Sequence, residues 1–143
     1  MEPEAYERLR LLVEEQLPFN RLLGLRLDSA GNGRSRVRFD FAPELVGNYL
    51  HQMLHGGVIS TVLDMVGACA VMTDPTFEFG QMAGTVDLRV DFLAPGTGAW
   101  FTADGVLMRG GRSLCTTRME LHNDAGLLVA TGAAVYRLVR EEA

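Results

Sequence analysis

Apolar and polar positions recur along this chain with a period that changes from segment to segment. In residues 3–17, PEAYERLRLLVEEQL, Tyr6, Leu9, Leu12, Val13 and Leu17 keep helical spacing, which predicts an amphipathic helix. Pro3 suits its first turn and Pro18 ends it. PFNRLLG then predicts a short turn of helix stopped by Gly24. From there the period falls to two. Leu25 to Ala30 and Arg34 to Phe41 predict a hairpin around GNG, residues 31–33. In its second arm Arg34, Arg36, Arg38 and Asp40 share one face, and Val37, Phe39 and Phe41 the other. TVDLRVDF (85–92) repeats the pattern: Thr85, Asp87, Arg89 and Asp91 against Val86, Leu88, Val90 and Phe92. WFTADGVLM, RSLCTTRMELH and LLVATGAAVYRLV predict three more strands, with RGG and NDAG as turns between them. Such short turns imply an antiparallel meander.

HGGVISTVLDMVGACAVM (55–72) breaks this alternation. It is apolar on most of its circumference, holds a single charge, Asp64, and has the length of a core helix over 56–73. The order helix, hairpin, helix, four strands predicts an α+β fold in one domain, residues 1–143. One sheet would pack its apolar face on one apolar helix. The sheet covers only one side of that helix. The N-terminal helix or a second molecule must cover the rest.

Composition narrows the function classes. The net charge is −5, and all thirteen positive charges are Arg, without a basic run. RSRVR (34–38) alternates as an exposed strand face does, so nucleic acid is not an expected partner. Cys69 and Cys115 form no metal or redox motif and read as buried thiols. The first residues are acidic rather than a signal peptide, and no stretch reads as a membrane span. A soluble, cytoplasmic protein without a membrane partner is expected.

Asp64 is the residue that needs a reason. An ionised carboxylate without partners is costly to bury, so it finds donors or shifts its pKa. Ser60 and Thr61 share its helix face, and either of them or an Arg would make it structural. A base or nucleophile in a mostly apolar cleft is the functional alternative. A helix that simply exposes Asp64 is the third. The helix start, GGV, lacks a side-chain cap and leaves backbone N–H groups at a positive helix end, where an anion or oxyanion is favoured. His51 and His55 stand four apart, yet Gly56 and Gly57 start the helix after His55, so no metal site is expected. Cys69 has no His or acid at its helical level to make it a nucleophile.

His55-Gly56-Gly57 with Asp64 nine positions after the His, then TVDLRVDFLAPG, then RSLCTTRMELHNDAGLLVATG, occur in an order that resembles the PaaI-like hotdog-fold thioesterases. The similarity runs from about Pro18 to Val139, and its texture resembles the bacterial YigI-like branch of medium- or long-chain acyl-CoA thioesterases. The resemblance implies a long helix wrapped by a curved antiparallel sheet. It implies a dimer joined edge to edge, often paired into a tetramer, with sites at the interface. Carried over, Asp64 is the catalytic carboxylate, as general base or nucleophile. The backbone N–H of Gly56 or Gly57 holds the thioester carbonyl, His55 shapes that turn, and Thr85 orients the water or carboxylate. Relatives carry an Asn six residues before the HGG histidine. Tyr49 stands there, so Asn48, or else His51 or Gln52, takes the role.

No cofactor is implied, since CoA is part of the substrate. Its phosphates need cations at the rim, and Arg112 and Ser113, beginning a strand after the RGG turn, are candidates with Arg109 behind them. Met53, Leu54, Met65, Val66 and Met72 line an acyl tunnel or belong to the core. The competing readings are an acyl-thioester dehydratase, whose His–acid spacing is not found, a non-catalytic acyl-CoA-binding or sensing protein, and a scaffold.

Overall fold

The computed structural model describes residues 1–139. The predicted first helix forms, but it changes pitch before Pro18. Helix α1 (Pro3–Leu11) continues as a π-turn, Leu12–Gln16, in which Leu17 N–H reaches Leu12 O at 3.2 Å. A proline would clash with the carbonyl four residues back in an ordinary turn, and the wider turn lets the chain leave. Helix α2 (Pro18–Leu23) ends at Gly24, which is left-handed.

Strands β1 (Arg26–Gly31) and β2 (Arg34–Asp40) form the hairpin. Asn32 and Gly33 at its turn both have positive φ, 53° and 72°, as a two-residue turn between twisted strands requires. The next loop hides two short strands, β3 (Val46–Asn48) and β4 (Met53–Leu54), which pair with each other. Helix α3 (Gly56–Met72) follows. The remaining strands are β5 (Met82–Phe92), β6 (Trp100–Gly110), β7 (Leu114–Asn123) and β8 (Leu128–Leu138). Six strands make one antiparallel sheet in the order β1-β2-β6-β7-β8-β5.

Helix α3 lies against β2, β6, β7 and β8. Val62, Leu63 and Val66 meet Val37, Phe39, Phe101 and Leu121 in the core, all of them fully buried. Each such side chain contributes about 1.5–3 kcal/mol by leaving water. Ser35, the polar residue on the inner face of β2, donates to Val66 O at 2.6 Å, which satisfies its buried hydroxyl. The arginines that alternate with Ser35, Val37 and Phe39 face outward: Arg36 pairs with Asp104 at 2.7 Å and Arg38 lies over the Trp100 ring.

Two departures from strict alternation matter for the site. Thr85 pairs with Tyr136 and Asp87 with Val135, so Val86 is an extra residue, a β-bulge in β5. Period two therefore fails there, and Thr85 turns to the same side as Leu88 and Val90. Arg112 and Ser113 do not begin β7; they lie in the turn before Leu114. The N-terminal helix packs on β1. Gly57, Thr61, Asp64, Met65 and Ala68, at helical spacing on α3, stay wholly or partly open.

Candidate active site

The start of α3 is capped after all. His55, extended at φ −63° and ψ 135°, accepts the Gly57 N–H on Nδ1 at 2.8 Å. Its carbonyl takes the N–H groups of Val58 and Ile59, at 3.0 and 3.2 Å. The Gly56 N–H has no hydrogen-bond partner among the described residues. It is a free donor at the positive end of a seventeen-residue helix. Phe92 lies beside Gly56: a Cβ on Gly56 would be 3.3 Å from Phe92 Cζ.

Two turns further along, Asp64 is half-buried, and its Oδ1 accepts from Thr85 Oγ1 at 2.8 Å. Ser60 and Thr61 are not its partners; their hydroxyls donate to Gly56 O and Gly57 O, at 2.9 and 2.8 Å. Nor does an Arg reach it among the described residues. Oδ2 is left open to a ligand or water. Thr85 reaches the carboxylate because the Val86 bulge turns it inward. Opposite Thr85 in the ladder, Tyr136 is buried and donates its hydroxyl to Asp64 O at 2.7 Å. Burial, and next the Asp64 charge, hold this phenol well above its usual range, so it stays a protonated donor. Tyr136 was not singled out by sequence reasoning. Its signal was faint: the one large polar side chain in the small-residue run GAAVY.

A helix-end donor and an oriented carboxylate, carried by a helix wrapped in an antiparallel sheet, fit the comparisons with known proteins. A sequence profile described as thioesterase superfamily matches residues 51–130, more than half of the chain. The medium/long-chain acyl-CoA thioesterase YigI of Salmonella typhimurium is 37% identical, covering 92% of this chain and 94% of that protein. The protein of the same name from Escherichia coli is 36% identical with the same coverage.

The chain belongs to the thioesterase superfamily.

Solved structures agree. A protein from Shewanella oneidensis related to the thioesterase superfamily superposes with a TM-score of 0.86 at 34% identity, covering 97% of this chain and all of that one. A thioesterase family protein from Silicibacter pomeroyi gives 0.82 at 25% identity, covering 94% and 98%. The architecture is the hotdog fold, with α3 as its central helix.

The other sequence-predicted residues fall at a distance from Asp64 in this thioesterase chain. Asn48 is exposed on β3, and its Oδ1 accepts the Leu50 N–H at 3.1 Å. Gln52, at φ 50°, donates to Tyr49 O at 2.8 Å. Both shape an exposed turn that also carries His51, and none of the three contacts Asp64 in the same chain. Arg109 is the last residue but one of β6, and with Arg112 and Ser113 it is exposed. This turn sits at the other end of α3: a Cβ on Gly110 would lie 2.8 Å from Asp74 Oδ2. Leu54, Val66 and Met72 are buried core, whereas Met53 and Met65 are half-buried. Cys69 is fully buried, and burial pushes its thiol up to about 12, so it offers no thiolate at neutral pH. No group of three metal-ligating side chains occurs among the described residues. None of their helices is long and apolar enough to cross a membrane. An open depression of about 980 Å³ lies on the outer sheet face, away from Asp64. Arg36, Arg89, Asp91, Asp104, Arg118 and Glu120 line it, and such a charged wall does not suit an acyl chain.

Proposed function

We propose that the protein hydrolyses acyl-CoA thioesters, of medium to long chain, to the free acid and CoA. The observation that carries this reading is the Asp64 carboxylate, oriented through Oδ1 by Thr85 and open at Oδ2. Asp64 takes a proton from a water as that water attacks the thioester carbonyl carbon. The carbonyl π electrons move to oxygen, and the oxyanion is held by the Gly56 N–H. Collapse re-forms the carbonyl and breaks the C–S bond, and the CoA thiolate leaves and takes up a proton. A positioned general base is worth about 10²–10⁴-fold in rate, and one oxyanion donor about 3–4 kcal/mol. The chemistry needs no metal or cofactor; CoA arrives as part of the substrate.

Within one chain the two groups are too far apart to share a thioester. Gly56 and Asp64 are eight positions apart on α3, about 12 Å at the helical rise. Two copies solve this if the Asp64 of one faces the partner subunit's Gly56. The β5 edge supports such a dimer. It has no strand on its outer side among the described residues, and Val86 and Phe92 on it are 60% and 56% exposed. The exposed turn of Asn48 then approaches the partner's site rather than its own. Arg109, Arg112 and Ser113, whose side chains have no partners among the described residues, meet the CoA phosphates. Met65 and Phe92 contact the acyl chain. An acyl-CoA substrate and two free cysteines fit a cytoplasmic location.

Thiol release from a series of acyl-CoAs of increasing length, by wild type and Asp64→Asn, tests this reading. Turnover that drops about 10²–10⁴-fold in a folded variant is expected, with the chain-length optimum naming the substrate. Equal turnover by both overturns the role of Asp64. Tight binding of an acyl-CoA without turnover by wild type would mean a sensor instead.

A further inference from the structure

Gly67 stands in the buried middle of α3, where glycine weakens a helix relative to alanine. A Cβ there would collide with the Tyr136 hydroxyl and come within 2.9 Å of Thr117 Oγ1 and 3.0 Å of Met119 Sδ. The gap left by the missing side chain admits the phenol. Tyr136 is 1% exposed, and its hydroxyl reaches Asp64 O at 2.7 Å. The hydroxyl also meets Thr117, but the volume of the core does not require it. A phenylalanine would fill the same volume, and a mid-helix carbonyl already accepts the N–H four residues on. The placement of the bond is the informative part. Tyr136 is the ladder partner of Thr85, whose hydroxyl holds the Asp64 carboxylate at 2.8 Å. Two neighbouring strands thus grip one residue: β5 by its side chain and β8 by its main chain.

We propose that Tyr136 is a positioning residue for Asp64: its hydroxyl, admitted by Gly67, fixes the Asp64 main chain against β8 and keeps the carboxylate in register with Thr85. This rests on Asp64 being the general base. A base must be held to a fraction of an ångström to act on water. With only Thr85 to hold it, the carboxylate spends less time in the productive orientation. Substrate contacts are untouched, so kcat falls and KM does not.

The test is Tyr136→Phe in the full-length protein, assayed by thiol release from the best acyl-CoA. A kcat lower by about tenfold is expected, with KM within about twofold and near-native cooperative unfolding. The same substitution in a Thr85→Ala background is expected to cost less than about threefold, because both hydroxyls act through one carboxylate. Gly67→Ala, which displaces the hydroxyl from the helix side, should reproduce the kcat loss if that variant folds. A purely structural role gives another pattern: a lower unfolding midpoint with kcat unchanged, or the same kcat loss in both backgrounds. Either result overturns the proposal. The two levels separate cleanly. If Asp64→Asn keeps wild-type turnover, the base assignment fails. If Asp64→Asn is inactive and Tyr136→Phe turns over like wild type, only the positioning role fails.

Discussion

Along β1, the outer edge of the sheet meets the chain's own N-terminal segment. Glu14 Oε1 accepts the Leu27 N–H at 3.0 Å, and the Tyr6 hydroxyl donates to Leu27 O at 3.3 Å. Leu9 and Val13 from the same segment are fully buried beneath it. Along β5, eleven residues present an edge with no such cover among the described residues, and Val86 and Phe92 stand exposed there. A long apolar edge is a template for another strand unless something blocks it. The chain blocks one edge with two side chains and leaves the other bare. The bare edge is also where Thr85 holds Asp64 and where Phe92 lies beside Gly56. The covered edge is closed by the chain itself, and the open one lies beside Thr85 and Asp64, where the proposed two-chain site takes its second copy.

Substitutions on each side can break or sharpen that contrast. The largest effect is expected from Gly56→Pro. Proline fits the first turn of a helix and the extended His55 before it, yet it removes the Gly56 N–H, which has no partner among the described residues. The kcat should fall about 10²–10³-fold with the helix intact by circular dichroism. Val86→Lys puts a charge on the open edge. Sedimentation should show a dimer for the parent and the mass of a single chain for the variant, and activity should fall with it. Glu14→Ala opens the other edge by leaving the Leu27 N–H unpaired. It should lower the unfolding free energy by about 1–3 kcal/mol in urea titrations and leave kcat within about twofold. If Glu14→Ala abolished activity, or Val86→Lys changed nothing, the two edges would not differ in the way described.

Much of this was legible in the residue pattern. The hairpin and the strands from 85 onward follow from periodicity, α3 from the length of its apolar run, and Asp64 stood out as the single charge in it. What periodicity missed are features of one residue. The Val86 bulge reverses the facing of Thr85 without changing composition, so Thr85 read as part of the outer face with Asp87, Arg89 and Asp91. The His55 cap was missed because its imidazole, an uncommon capping side chain, does the work of a serine or aspartate. The roles of Tyr6, Glu14 and Tyr136 depend on hydrogen bonds to residues 21, 13 and 72 positions away. Nothing local to those residues encodes their partners. The strands β3 and β4, three and two residues long, are too short to show a period at all.

The most direct test of the shared site is complementation. Asp64→Asn and Gly56→Pro chains should each be nearly inactive alone. In a hybrid dimer one site takes both defects, and the other combines an intact Asp64 with an intact partner Gly56. Co-expressed chains, purified together and assayed for thiol release from acyl-CoA, should recover about a quarter of wild-type activity by random pairing into two-fold dimers. A mixture no more active than the sum of its inactive parents would contradict a site built from two chains.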